Sequence, residues 1–199
     1  MKTKMLSIAM MFVVMSAITK STYANTATTA ATVLSNIKSF NKIELHGNVE
    51  LFISDNAPEQ VTVYNKYYAE NALVQNNKGV LRIASYGAEK LIVWVTSDNL
   101  RSISAYDNAE VRSFGEVSKI EFNIDLHDNA TAKLNFNAYS ANVTLTDHAT
   151  IELSGKVSAF GMTRSNNATI VNNNFSVDYN TENRIINQTG KKEVLAGLE

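Results

Sequence analysis

The 199-residue chain has no cysteine, one proline and one tryptophan, and its longest run of basic residues is the pair Lys191-Lys192. Without cysteine the chain has no disulfide, no thiolate metal site and no lipid-modified cysteine behind a leader peptide. The lone proline, Pro58, sits in the polar stretch from Asp55 to Gln60, where it marks a loop and interrupts no element. A nucleic-acid partner would need a basic patch, which the charge distribution does not supply. Long apolar runs are also scarce. The most prominent, Met5 to Ile18, lies at the N-terminus behind Lys2 and Lys4, is short for a membrane span, and ends near Thr22-Tyr23-Ala24. Residues 1–24 therefore read as a signal peptide cleaved after Ala24. Its removal takes Lys2, Lys4 and Lys20 away, lowering the basic count from 18 to 15 against 19 acids and giving a net charge of −4.

What the chain does have is a repeat. Between Leu100 and Tyr179 a short acidic or amide pair followed by alanine recurs as Asp107-Asn108-Ala109, Asp128-Asn129-Ala130, Asp147-His148-Ala149 and Asn166-Asn167-Ala168, with alanines 21, 19 and 19 residues apart. A period near twenty with a fixed turn signature points to a solenoid in which each repeat is one coil. Reading outward from each alanine in steps of two gives four apolar columns. Six back lie Ile103, Ile124, Val143 and Met162; four back lie Ala105, Leu126, Leu145 and Arg164. Two forward lie Val111, Ala132, Ile151 and Ile170; four forward lie Ser113, Leu134, Leu153 and Asn172. Alternation of this kind marks half-buried strands, and its translation from repeat to repeat favours parallel stacking. Arg164 and Asn172 in core columns place the fourth repeat at an end of the stack. The turn chemistry follows from asparagine and aspartate, which tolerate the left-handed conformation and bond nearby backbone; Asn129 is expected to take the positive φ. The competing reading is an antiparallel sandwich with fortuitous repeats.

Residues 25–36 read as a flexible leader that docks only at Val33 and Leu34, residues 37–190 as one β-solenoid domain, and residues 191–199 as a tail. Phe40 to Ser54 reads as an earlier coil, with Ile43, Leu45, Leu51 and Ile53 in the core columns and Gly47-Asn48 at the corner. Strands follow at about 60–65, 79–85 and 91–96, and Asn76-Asn77-Lys78-Gly79 signals a hairpin. Leu91 to Val95 is apolar throughout, as expected of a strand buried on both faces. Beyond Tyr179 the repeat fades.

These residues resemble a bacterial extracytoplasmic family, the putative auto-transporter adhesin head GIN domain, which has no established function. The motifs carrying the resemblance are Phe40, Ile43, Leu45, Gly47 and Val49; then Val61 and Val63; then Gly79, Leu81 and Ile83; then Leu100 and Ile103. The resemblance spans roughly residues 40–180 and implies a right-handed, single-stranded parallel β-helix behind a signal peptide. The chain departs from the family where its corners carry Asp-Asn-Ala in place of glycine.

No catalytic constellation emerges and no cofactor is implied. Asp107, Asp128 and Asp147 should stack in one column, where neighbouring rungs lie about 4.8 Å apart. That column could hold calcium, though bracing of the turns by the carboxylates is the favoured reading. His46, Tyr106 and His127 share one position before the corner and His148 follows a corner; zinc binding or base chemistry there is conceivable, but surface histidines are favoured. Five Asn-x-Ser/Thr matches, at Asn129, Asn142, Asn167, Asn174 and Asn187, are discounted in so polar a repeat. Tyr64, Tyr67 and Tyr68 cluster near Lys66 as candidate ligand contacts. The chain thus reads as an exported, non-enzymatic envelope or secreted protein with a binding, adhesin-like or structural role toward an unknown protein or glycan, a monomer or weak dimer joined near Trp94. The alternative is a β-helical polysaccharide lyase or hydrolase using the Asp column. Export is tested by N-terminal sequencing of the secreted protein: a start at Asn25 is expected, and retention of Met1 would contradict it.

Overall fold

The computed structural model describes residues 31–185, apart from 36, 56–57 and 65–71. The expected leader at 1–24, the tail at 191–199, and Tyr67 and Tyr68 lie outside the described residues.

Among the described residues every regular element is a strand: β1 Ala31–Val33, β2 Lys42–Gly47, β3 Val49–Ser54, β4 Gln60–Tyr64, β5 Ala72–Asn77, β6 Val80–Ser85, β7 Leu91–Thr96, β8 Ser102–Ala105, β9 Glu110–Ser113, β10 Val117–Leu126, β11 Thr131–Leu145, β12 Thr150–Ser165 and β13 Thr169–Ile185. They form one curled sheet with the order β1-β4-β7-β3-β9-β11-β10-β8-β2-β6-β5, and β12 and β13 extend it from β11. The curl is built into the chain. Each corner joins a strand of one arm (β2, β6, β8, β10) to a strand of the other (β3, β7, β9), while β11, β12 and β13 run across both arms. β11, for example, pairs with β9 through Thr131–Lys133 and with β10 through Phe136–Leu145.

The repeat columns stack as the spacing requires. β10 and β11 pair in parallel with Ile124 opposite Val143 and Leu126 opposite Leu145, and β11 and β12 pair with Ala132 opposite Ile151 and Leu134 opposite Leu153. Between the arms lies a continuous core in which Ile103, Ala105, Val111, Leu126, Leu145, Ile151 and Leu153 have no exposure. Phe122 and Phe136 meet edge to face at 5.5 Å where the arms bend into one another. The Phe40–Ser54 coil fits the same columns, with Ile43, Leu45, Val49 and Leu51 fully buried.

The single-stranded parallel β-helix implied by the family resemblance is not confirmed, because the sheet is mixed, the expected hairpin at Asn76–Gly79 included. β1 pairs antiparallel with β4, β4 with β7, and β5 with β6. The physical reason lies in the order of layers. The β2–β3 coil packs between the β6–β7 coil and the β8–β9 coil. The β6–β7 coil is therefore the outermost parallel layer, and β5 and β4 run antiparallel along its two arms. An uncovered strand edge is a template for unwanted pairing, and here the folding-back of the chain covers it. The β5–β6 hairpin turns at Lys78-Gly79, both with positive φ, as a tight two-residue turn demands.

One further expectation is corrected. β7 is buried on one face only: Leu91, Val93 and Val95 point inward, while Ile92 and Trp94 stand half-buried on the outer face. The repeat pattern fades beyond Tyr179, yet the strand itself goes on. β13 continues to Ile185 beside β12, with a register shift between Leu153 and Gly155 that absorbs one extra residue. Its inward positions on the second arm turn polar, and Arg164 pairs with Glu182 at 2.9 Å over the end of the core.

A feature invisible to repeat analysis ties the far side of the coils together. Lys119 and Asp55 form an ion pair at 2.6 Å with side chains 3% and 7% exposed. The ammonium also donates to the Ser97 carbonyl at 3.0 Å, and Asp55 accepts the Ser118 N–H at 2.6 Å. A charge pair so buried is tolerated when its remaining hydrogen-bonding capacity is met, and these contacts meet it.

The column assignment carries a direct cost. Leu145→Ala removes a fully buried side chain between Leu126 and Arg164 and should lower stability by about 2–5 kcal/mol in chemical denaturation. Wild-type stability for this variant would refute the assignment.

Candidate functional site

The acidic column read from the repeats lies at three corners of the chain. Each is a four-residue turn closed by a backbone bond, from Ala109 N–H to the Tyr106 carbonyl at 3.2 Å, Ala130 to His127 at 2.9 Å and Ala149 to Thr146 at 3.1 Å. The residue with positive φ is the aspartate: Asp107 at 61°, Asp128 at 57° and Asp147 at 54°, with Gly47 at 80° in the equivalent place. Asn129 is not among the positive-φ residues, which corrects the expectation for it. The left-handed residue is the one whose short acceptor side chain is also required. Asp107 accepts the Gly47 N–H at 2.8 Å, Asp128 accepts the Asp107 N–H at 3.0 Å, and Asp147 accepts the Asp128 N–H at 3.4 Å. The carboxylates thus brace the preceding corner rather than their own. Stacked like charges repel, and each one is met by a backbone dipole. Among the described residues no group of three or more His, Cys, Asp or Glu side chains is arranged to hold a metal ion.

Beside the carboxylates runs a ring column. His46, Tyr106 and His127 stack with centroids 4.6 and 4.5 Å apart and planes within 6° of parallel. Thr146 continues the column, its hydroxyl 2.9 Å from His127 Nδ1. His46 Nε2 lies 3.0 Å from Glu44 and His127 Nε2 lies 3.2 Å from Asp125. The bond to His46 holds the Glu44 carboxyl below its ordinary pKa against the effect of burial, and Arg82 adds to it. Burial, followed by the charges of Asp125 and Glu44, raises the Tyr106 phenol. The sequence grouped these three rings correctly by position; the structure shows them engaged with one another. His148 is exposed on the following corner.

The outer face of the other arm carries a different arrangement. Outward positions of a surface sheet are ordinarily polar, yet here the row Thr62, Trp94, Phe52, Arg112 crosses β4, β7, β3 and β9. The Phe52 and Trp94 rings stack at 5.4 Å, and Phe114, 63% exposed, leans on Trp94 at 4.8 Å. Trp94 Nε1 donates to Ser54 Oγ at 3.2 Å, and that oxygen is itself 3.1 Å from Thr96 Oγ1, which fixes the indole. Phe52 covers one indole face. The opposite face looks toward β4, where a notch of about 250 Å³ is lined by Gln60, Thr62, Tyr64, Trp94 and Thr96. Val33 on β1, 53% exposed, extends the apolar surface past Thr62. At the far end Arg112 pairs with Glu50 at 3.0 Å and also with Glu110. Burial works against the charge of Glu110, but Lys90 and Arg112 hold its carboxyl below the usual range.

Of the tyrosines singled out from sequence, the structure thus brings Tyr64 to the Trp94 notch. Phe52, Trp94 and Phe114 were missed as a group. The signal was present, since strict alternation from Leu51 and Val93 puts Phe52 and Trp94 outward, where large apolar side chains are out of place.

A curled, mixed all-β sheet of stacked coils, with an aromatic cluster on one outer arm, defines the class of domain. The chain belongs to the family described as "Putative auto-transporter adhesin, head GIN domain", whose pattern matches residues 39–191. Among solved structures it is similar to a "putative adhesin" from Parabacteroides distasonis, at 19% identity and TM-score 0.54, covering 78% of this chain and 77% of that one. A "putative lipid binding protein" from the same organism is similar at 9% identity and TM-score 0.50, covering 79% and 96%. At such identities these likenesses establish the fold. No curated protein matches the sequence.

The corner geometry separates turn chemistry from cation chemistry. Asp128→Asn keeps the acceptor and tolerates positive φ, so stability should stay near wild type. Asp128→Val should lose about 1–3 kcal/mol, and Asn129→Val should lose less. Added calcium should leave the melting temperatures of wild type and Asp128→Asn alike. A rise confined to wild type would restore the cation reading.

Proposed function

We propose that the protein is an exported, non-enzymatic binding protein of the cell envelope or extracellular space, adhesin-like, with the Trp94 face as its contact surface for a protein or glycan. The observation that carries this reading is the aromatic cluster on a solvent-facing arm. Contiguous exposed apolar surface is costly and marks interaction sites, and tryptophan and tyrosine at such places dominate binding energy. Phe52 and Trp94 are held on β3 and β7, and Phe114 directly follows β9 with its N–H bonded to the Ile53 carbonyl, so little ordering cost accompanies binding. The adhesin names borne by the family and by the Parabacteroides structure agree with export and adhesion. The lyase reading finds no support, because Asp107, Asp128 and Asp147 are occupied by corner N–H groups. Free in solution, the protein is proposed to be a monomer or a weak dimer joined through the strands around Trp94.

Trp94 is the only tryptophan beside eight tyrosines, so emission excited at the red edge, where tyrosine does not absorb, reports on this face alone. Screening against immobilised glycans and envelope proteins should give a ligand that shifts this emission. Trp94→Ala should weaken its binding about tenfold or more, as for loss of a tryptophan hot spot, with circular dichroism unchanged. Ligand binding that ignores Trp94→Ala would overturn the assignment.

A further inference from the structure

The opposite arm carries a second depression, on the outer face of the last coils, with a volume of about 370 Å³. Three outward rows cross it: Ser140, Ala159 and Tyr179; Asn142, Gly161 and Thr181; Thr144, Thr163 and Asn183. None of the residues lining it carries a charge. Its wall is the ring of Tyr179, 78% exposed.

The middle row shows how the depression is made. Asn123 Nδ2 donates to Glu121 Oε1 at 3.0 Å, so Asn123 Oδ1 is the acceptor for Asn142 Nδ2, at 3.1 Å. This amide chain, anchored on a carboxylate, turns the remaining oxygen of Asn142 toward the next coil. A third amide would continue the ladder, but the chain places Gly161 there. A Cβ on Gly161 would stand 2.5 Å from Asn142 Oδ1, so even alanine would intrude on this space. The result is an oriented acceptor over a floor with no side chain, flanked by the Thr144 and Thr163 hydroxyls and facing an aromatic ring. Hydrogen bonds polarised along a chain are stronger acceptors at their free end.

We infer that this depression is a binding site for a neutral glycan. An uncharged lining gives no advantage to phosphate, sulfate or carboxylate ligands, which would lose hydration without a cation in return. A sugar supplies what the site lacks: a hydroxyl to donate to Asn142 Oδ1, further hydroxyls for the threonines, and an apolar C–H face for Tyr179. Rungs about 4.8 Å apart present these groups at regular intervals, so successive residues of a linear glycan can run across the coils. The site lies on the other arm from Trp94 and stands independently of that reading.

The test uses the mature chain on an array of neutral and anionic glycans, with wild type, Tyr179→Ala, Gly161→Ser and Trp94→Ala in parallel. Tyr179 is exposed, so its replacement leaves the fold intact; Gly161→Ser fills the floor and is checked by its unfolding midpoint. Retention of a neutral glycan by wild type, weakened about tenfold in both Tyr179→Ala and Gly161→Ser as expected for one lost stacking or hydrogen-bond contact, and kept by Trp94→Ala, supports the site. No neutral glycan bound at millimolar concentration, binding confined to anionic glycans, or loss in Trp94→Ala with retention in the other two variants would overturn it. The last of these outcomes would leave the Trp94 reading standing.

Discussion

The fold depends on a single constraint at the corner. At the corners of Asp107, Asp128 and Asp147 the chain reverses with positive φ at one position, and the N–H groups the reversal exposes must be satisfied. Glycine meets the first demand and offers nothing for the second. Aspartate meets both, and its carboxylate reaches back one coil to the preceding corner: Asp107 to Gly47, Asp128 to Asp107, Asp147 to Asp128. The coils that turn at Gly47, Asp107, Asp128 and Asp147 are therefore fastened one to the next by charge-assisted bonds outside the strand ladder. Alanine follows because the re-entering chain passes directly into the core, where Ala109, Ala130 and Ala149 have no exposure.

This explains how much of the molecule could be read from its residues. The columns were legible because translation of the same alternation by one coil leaves few other solutions; Leu126, Leu145 and Ile151 could hardly face anything but each other's neighbours. The layer order was not legible. Nothing local in Lys42–Ser54 says that Val80–Ser85 will pack on its outer side and Ser102–Ala105 on its inner side, and the antiparallel strands follow from that choice. The φ assignment failed for a subtler reason. Asp and Asn share the same local propensity, and only the bond to a neighbouring coil distinguishes them. The pair Lys119–Asp55 joins residues 64 apart with no repeat relation, so periodicity could not reveal it.

The same scaffold leaves its outward positions free for other uses. Inward side chains are fixed by packing between the arms, while outward ones answer only to neighbours in their own row. One arm has placed the Phe52 and Trp94 rings and the Arg112 ion pairs in those rows; the other carries the His46–Tyr106–His127 stack and the Glu44–Arg82 pair on some coils, and hydroxyls, amides and a glycine on the last ones. Of the candidate site, Tyr64 was legible as a ligand contact because clusters of tyrosine stand out in composition, and Trp94 only as the neighbourhood of a dimer contact, whereas Phe52 passes for a core residue until its face is known. Function on such a domain rests on which outward row is considered, and not on the coil itself.

The stacking of these coils depends on the aspartate column fastening one corner to the next. Asp128→Gly keeps the positive φ and removes the carboxylate, so it isolates that bond from turn strain. Amide hydrogen exchange should show the Asp107 N–H protected in wild type and exchanging about tenfold faster or more in Asp128→Gly, the loss expected for one hydrogen bond to a charged acceptor. The amide of Leu134, inside the core, should change far less. Unprotected Asp107 in wild type, or equal protection in both proteins, would contradict it.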